Sequence, residues 1–516
     1  QADLMSKVRR ARAELHAING LRFFATLGMV LARSVETMWI DNSGGSTWLS
    51  LRSCGYLRRI ADDFVSFYFI LSGFAISWGY MTRYMTSKGI CLFNVSTRDF
   101  DSDSVRRRYW VGRLQRFYPD FFISTSCCLL VTRPAFFGCH TLSRLDWLFN
   151  LLQLALIGGW LAWLPYPNGG NVNGPSWFLL TLAMIWFLYP FLVRPIREFF
   201  RGDSSTMFAV KMIGLWLISL LPWALLLLIE LIVSSTGYDG DYTQLVWSFK
   251  PFPLFRLPEF IMGMALALRL TEDPEYMEIG GSGGWNRPGA WLLYGGLAGL
   301  VGVVGYAVAG AATMGTGCSC IDVTDSACYG WLQQVDTRFG LVSCLIIYAV
   351  AGLDCAASAG EARAGAEGGE RAAAAAVESR AGPAGEMIWR GLSWGVLQEV
   401  NKWGLQIFLY QMSAQTMLQA LLVDVHWGLA NRCLEQPLSP SFAVFYVAIQ
   451  VFVTYLAGWL FHEGGPLGTP IHRWSKQVAA AAIEAWDKTD AGDAGTASPP
   501  APAAPPAAMS PSVRLV

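Results

Sequence analysis

The chain has 516 residues, 53% of them hydrophobic and only 15% charged, with 22 tryptophans and a mean hydropathy of +0.36. A soluble domain carries about 25% charged residues, so this composition excludes an ordinary soluble globular protein and points to an integral membrane protein with many spans. The formal net charge is zero, which gives no reason to expect nucleic acid, and the 11 cysteines show neither a Cys-x-x-Cys pair nor Cys/His metal spacing, so no metal site is expected.

Residues 1–17 form a basic N-terminal segment (Lys7, Arg9, Arg10, Arg12) that leads straight into an apolar run, so no cleaved signal peptide is expected. Residues 18–40 supply the roughly 20 residues that a helix needs to cross about 30 Å of hydrocarbon. Two arginines interrupt this first span, Arg22 near its start and Arg33 near its end. Eleven positions is about three helical turns, so the two project from roughly the same face. Either both are interfacial anchors whose heads snorkel to water, or the helix lines a polar site.

A polar loop over 41–61 precedes Asp62, Asp63 and a second apolar run that ends near Met81. Within it, Ser72 and Gly73 are small enough to let another helix approach closely, and packing alone accounts for such a pair. Residues 83–116 are the basic centre of the chain, with Arg83, Lys88, Arg98, Arg106, Arg107, Arg108, Arg113 and Arg116. The positive-inside rule makes this stretch and the N-terminus cytoplasmic. Topology and anionic lipid account for Arg106–Arg108. Arg113 and Arg116 stand i,i+3 on one helical face at the membrane edge, a spacing suited to clamping a phosphate-rich cofactor.

Two apolar blocks follow at 117–131 and 145–164, then further spans at 177–193, 207–234, 252–270, 290–312, 338–354, 404–424 and 441–462. Placing Arg194, Arg197 and Arg201 inside requires 117–164 to cross once. The expected fold is therefore all-α, a polytopic membrane helix bundle of about ten transmembrane helices with both termini cytoplasmic. In that phase Cys318, Cys320 and Cys328 lie in an outer loop where one disulfide is plausible. Residues 355–386, rich in Ala, Gly, Glu and Arg, read as a low-complexity cytoplasmic insertion without a core of its own. Residues 476–516 read as a cytoplasmic tail, disordered over the Ala/Pro-rich 489–510.

In order along 18–475, several stretches resemble the acyltransferase 3 family, multispan membrane enzymes that acylate sugars and other hydroxyl acceptors. Asn19-Gly-Leu-Arg22 is similar to the family's Asp-Gly-Leu-Arg, and Phe67 to Phe74, containing Ser72-Gly73, to its Phe-Phe-x-Leu-Ser-Gly-Phe. Arg113-x-x-Arg116-Phe-Tyr118-Pro119 is similar to its Arg-x-x-Arg-Ile-Tyr-Pro. Asn173-Gly-Pro-Ser-Trp177 through Tyr189-Pro190 is similar to its Asn-Gly-Pro-x-Trp segment, and Leu409-Tyr410-Gln411 stands where a Tyr-x-x-His is frequent.

The resemblance implies transfer of an acyl group, acetyl being the expected one, from acyl-CoA to a hydroxyl of a carbohydrate or lipid-linked acceptor. Acyl-CoA would be a co-substrate, with no permanently bound cofactor, and the other partners would be that acceptor and membrane lipid. Arg113, Arg116 and Tyr118 would bind acyl-CoA, Arg22 would serve the catalytic cavity, and Ser72, Gly73 and Trp177 would line it, with Ser72-Gly73 packing the second helix against the first. The family's catalytic His position is Arg33 here, and its Glu position is Leu182. A guanidinium does not accept a proton near neutral pH, so Arg33 is no substitute for an imidazole base. His16, His140, His426, His462 and His472 remain, with Glu463 able to orient an imidazole, but none has the spacing of a dyad. Two function classes therefore stand: an acyltransferase with a relocated base, and a catalytically silent member that binds acyl-CoA or glycan or moves a substrate as a transporter does.

Overall fold

The computed structural model describes residues 15–38, 64–79, 103–129, 148, 151–156, 176–235, 252–272, 295–296, 298–299, 301–302, 339–364, 369–419 and 440–496. The described residues are all-helical apart from short turns, with no strand among them. In chain order the main helices are α1 (His16–Met38), α2 (Phe64–Gly79), α3 (Asp103–Cys127), α4 (Ser176–Phe200), α5 (Ser205–Ser235) and α6 (Pro253–Glu272). They continue with α7 (Gly340–Ala364), α8 (Gly369–Leu392), α9 (Gly395–Asn401), α10 (Gly404–Gln419), α11 (Pro440–Phe461) and α12 (Gly468–Thr496). Trp177–Phe200, Ser205–Leu226 and Gly340–Ser358 are long and apolar enough to cross a membrane, while Phe64–Gly79 and Val447–Phe461 are shorter apolar helices. Asp62, Asp63, His140, His426, Cys318, Cys320 and Cys328 lie outside the described residues, as do most of 145–164 and most of the span expected at 290–312.

The first helix is the hub, packed against α7, α8, α9, α10 and α11. A helix N-terminus leaves its first amides without partners, and α1 obtains its cap from far along the chain. Asp354 of α7 accepts hydrogen bonds from the backbone N–H of Ala17 (2.9 Å) and Ile18 (3.1 Å) and from Trp389 Nε1 of α8 (3.2 Å). One buried carboxylate thus ties α1, α7 and α8 together, and the positive end of the α1 dipole favours its charge.

This arrangement corrects the reading of 355–386 as a coreless insertion. Helix α7 runs on to Ala364 and α8 begins at Gly369. Ala356, Ala357, Ala373, Ala374, Val377 and Ala381 are buried in the main apolar core. Alanine is the strongest helix former and its small side chain lets two helices pack closely, so a composition that looks like low complexity is a helix–helix seam. The seam ends where Gly382, at φ 73, and Pro383 kink α8.

Two further expectations change. The part of the basic stretch that is described, 103–116, belongs to the same helix as the apolar block after it, because α3 is continuous from Asp103 through Pro119 to Cys127. A proline inside a helix frees the carbonyl four residues earlier. Here that carbonyl, on Gln115, accepts a hydrogen bond from Ser475 Oγ of α12 at 3.2 Å. The last helix also runs into the stretch 489–510 expected to be disordered: α12 extends to Thr496, and residues 497–516 lie outside the described residues.

The small residue Gly73 does permit a close crossing, but its neighbour is α6 rather than α1. A Cβ on Gly73 would overlap the carbonyl oxygen of Phe260, and one on Gly263 would overlap that of Ile70. Helices α2 and α6 therefore touch backbone to backbone, which no larger side chain allows. Gly73→Ala and Gly263→Ala should each destabilise the protein by about 1–3 kcal/mol, the usual cost of overpacking. Gly79→Ala, with nothing within 4 Å of the new methyl, should not. Thermal unfolding in detergent reads the difference, and equal behaviour of all three would contradict the crossing.

Candidate functional site

Pro119 interrupts the hydrogen-bond ladder inside α3, and the residue after it is a carboxylate. Asp120 is completely buried, at 0% exposure. Its Oδ2 accepts a hydrogen bond from Gln406 Nε2 of α10 at 2.8 Å and lies 3.3 Å from Nε2 of His472 on α12. That last approach has ion-pair distance without hydrogen-bond angles, because Nε2 makes no aligned bond, and Asp120 Oδ1 has no partner among the described residues. The Asp120 carboxylate beside it raises the pKa of His472 above the ordinary imidazole value. Gln406 Oε1 and Tyr410 Oη, also buried, likewise make no hydrogen bond. Tyr410 lies close enough to Asp120 to feel its charge, and its ring stacks on Phe461 with centroids 4.3 Å apart.

The turn between α11 and α12 brings His472 back under the bundle. Leu467 N–H donates to Leu460 O (3.0 Å) and Gly465 N–H to His462 O (2.8 Å). A Cβ on Gly468 would overlap the carbonyl of His462, so only glycine fits this reversal. Lys476 pairs with Glu463 across it and, chiefly through that hydrogen bond, lowers the Glu463 pKa, with Arg116 adding a smaller effect.

A second polar group surrounds Arg22. Its backbone carbonyl lies within hydrogen-bond distance of Thr26 Oγ1 (3.0 Å) and of Tyr68 Oη of α2 (3.1 Å), and those two hydroxyls stand 2.5 Å apart, so one donates to the carbonyl and the other to its neighbour. The Arg22 guanidinium is half-buried and electrostatically coupled to Tyr68. Thr26 Oγ1 lies 3.8 Å from where a Cβ on Gly404 would stand. Helix α10, which starts at Gly404 and carries Gln406 and Tyr410, therefore joins this group to Asp120.

A third group is a closed ion pair in α6. Arg256 is 1% exposed and Glu259 0%; they stand 3.5 Å apart, and Ser66 Oγ of α2 hydrogen-bonds to Glu259 Oε1. The rings of Phe69, Trp177 and Trp223 surround the guanidinium at 5.6, 6.0 and 5.9 Å, at cation–π distance.

The residues singled out in the sequence fall into different settings. Arg113 is half-buried over the Tyr109 ring at 5.5 Å, while Arg116, one turn on, is exposed. Tyr118 donates to Leu154 O at 3.1 Å and packs beside Phe121 and Phe122, so it fastens the segment 151–156 to α3. Ser72 is half-buried. Gly73 and Trp177 sit in close-packed surroundings, Trp177 against Phe69 and Phe178, and Leu182 is core at 2% exposure. Arg33 belongs to helix α1, and its side chain lies outside the described residues.

Asp120, Gln406, Arg256 and Glu259 escaped the sequence reading. All four interrupt apolar runs, and an ionisable or amide group inside such a run is itself a signal of a polar site. His472 was visible only as one of five histidines, since its partner lies 352 positions away. Among the described residues no group of three His, Cys, Asp or Glu is placed to hold a metal ion.

Comparison of the chain with protein-family models, with curated proteins and with solved structures finds no match.

Removing one member of a buried ion pair strands the other charge, at a typical cost of about 3–5 kcal/mol, whereas replacing both with apolar groups costs much less. Arg256→Met and Glu259→Leu should each lower stability strongly, and the double variant should be more stable than the less stable single. Thermal unfolding of the three purified variants checks this. Additive losses would mean that the two charges do not depend on each other.

Proposed function

We propose that this chain is a membrane acyltransferase that transfers an acyl group from acyl-CoA to a hydroxyl of a carbohydrate or lipid-linked acceptor. The observation that carries the reading is the organisation of α3. One helix presents exposed or half-exposed arginines on the turns before Pro119 and a buried carboxylate directly after it. Cations suit the phosphates of CoA at the water-facing end. The buried polar groups beyond Pro119, joined through α10 to Arg22 and Tyr68, suit a reaction that handles protons away from bulk water. The order of motifs along 18–475 supports the same class.

In this proposal the bundle crosses the membrane about ten times with both termini cytoplasmic, following the distribution of Lys and Arg. Acyl-CoA enters from the cytoplasmic face, where Arg113 and Arg116 engage its phosphates. Arg22 stands deeper on α1, close to Tyr68 and Thr26, and stabilises negative charge that develops during transfer.

Charge-assisted hydrogen bonds are worth about 1.5–3 kcal/mol each, so Arg116→Ala should weaken acyl-CoA binding roughly 10- to 100-fold. The loss should be larger at low ionic strength, where surface charges are least screened. Equilibrium binding of labelled acetyl-CoA to the purified protein measures this, beside transfer to a panel of glycans and lipid-linked sugars. Unchanged affinity in a folded Arg113→Ala/Arg116→Ala double variant would remove the proposed phosphate site. Tight binding without transfer by the wild type would favour the silent-member reading instead.

A further inference from the structure

Acyl transfer to a hydroxyl needs a group that takes the hydroxyl proton, and position 33, an arginine, does not provide one. Three histidines are described. His16 is half-buried at the first turn of α1, with its carbonyl accepting a hydrogen bond from Gln398. His462 turns Nδ1 onto the carbonyl of Trp459 at 2.6 Å and sets its ring beside Trp403. Among the described histidines, His472, at 6% exposure, is the one whose ring stands at ion-pair distance from a buried carboxylate, 3.3 Å from Asp120, whereas His16 acts on the buried Asp354 without such a contact, and that carboxylate is already spent on the amides of α1.

We propose that His472, oriented by Asp120, is the general base of the transfer reaction and so replaces the imidazole that the first helix lacks. The assignment rests on the acyltransferase reading above. Its support is structural. Asp120 is fixed by Gln406 on one oxygen and is unpartnered on the other. Helix α12 is fixed against α3 by Ser475 on the freed carbonyl of Gln115. The glycine turn and the Glu463–Lys476 pair set the height of α12. Beside the carboxylate, Gln406 Oε1 and Tyr410 Oη are buried polar atoms without hydrogen-bond partners among the described residues.

The step balances without any further reactant. The neutral imidazole takes the acceptor's O–H proton while the oxygen attacks the thioester carbonyl. A carbon–oxygen bond forms, the carbon–sulfur bond breaks, and the departing thiolate collects the proton from the imidazolium, giving the ester and free CoA. Asp120 holds the ring and stabilises its charged form as buried carboxylates do in histidine dyads.

Charges around the pair shape its pH dependence. Asp120 and Arg116 come from α3, Glu463 from the preceding turn, Arg473 and Lys476 from α12 itself, and Tyr410 with its neutral phenol from α10. The carboxylates favour the imidazolium and Lys476 opposes it. A base works only when unprotonated, so the rate should rise with pH through the raised pKa of His472 and level off above it.

The test is the pH–rate profile of labelled acetyl transfer by the full-length protein in detergent, with acetyl-CoA binding measured in parallel. His472→Gln should lose about 10²–10⁴ in rate, the usual worth of general-base catalysis, while binding acetyl-CoA within about twofold of wild type. Asp120→Asn should shift the rising limb to lower pH and lower its plateau, a change that a purely structural role would not produce. Should either variant fail to fold, the wild-type profile alone decides: a rate independent of pH across the neutral range overturns the assignment. Transfer by His472→Gln at the wild-type rate overturns it too, and leaves the acyltransferase reading standing. Binding of acetyl-CoA without transfer by wild type, whatever the pH, overturns that reading and the base with it.

Discussion

A carboxylate enclosed in an apolar bundle has to be offset by neighbours, since the cost of stranding it amounts to several kcal/mol. Asp120 meets that constraint with groups from two other helices, the Gln406 amide of α10 and the His472 imidazole of α12. Its position directly after Pro119 adds a second constraint, because the carbonyl freed by the proline also needs a donor, and Ser475 of α12 supplies it. Two unmet polar groups on successive turns of α3 are thus answered by residues three apart on α12. The packing of the last helix against the third follows from this arithmetic more than from apolar burial, for α12 is polar over much of its surface.

The other buried carboxylates are handled differently. Asp354 is spent on the amides that open α1 and on the indole of Trp389, and Glu259 is closed by Arg256 and Ser66 inside a ring of aromatics. Both are structural: each joins helices and each is engaged by donors on more than one element. Asp120 differs in leaving one oxygen unpartnered among the described residues and in facing an imidazole, whose pKa it raises. That contrast sets Asp120 apart from the groups that hold the bundle together, and on it rests the proposal that Asp120 orients a base. It also explains why the site lies between helices that are far apart in the chain.

Much of the fold was legible because apolar runs of helical length are hard to read as anything else. The first helix, the helix around Ser72 and Gly73 and the one opening at Trp177 stand where the pattern put them. What escaped depends on pairing across the chain. Alanine-rich 369–392 has no apolar stripe of leucine or phenylalanine, so its burial against α7 shows only once both helices are in place. Gly73 announced a close approach without naming α6 as its partner. The Arg113–Arg116 spacing was plain from sequence, whereas the value of Asp120 depends on Gln406 and His472, 286 and 352 residues further on. A proline followed by an acid inside an apolar run was the local signal available.

The account therefore depends on Asp120 and His472 acting as a pair, and a double-mutant cycle addresses that directly. Because His472 has a raised pKa in the folded protein, the stabilisation it contributes is fully present below the ordinary imidazole pKa and is lost as pH rises through the raised value. Stability of wild type, Asp120→Asn, His472→Gln and the double variant should be measured by thermal unfolding on both sides of that range. Residues in contact typically couple by about 0.5–3 kcal/mol, and coupling of that order is predicted at the lower pH, shrinking at the higher. Additive single effects at both pH values, within about 0.3–0.5 kcal/mol, would contradict the pair on which the site is built.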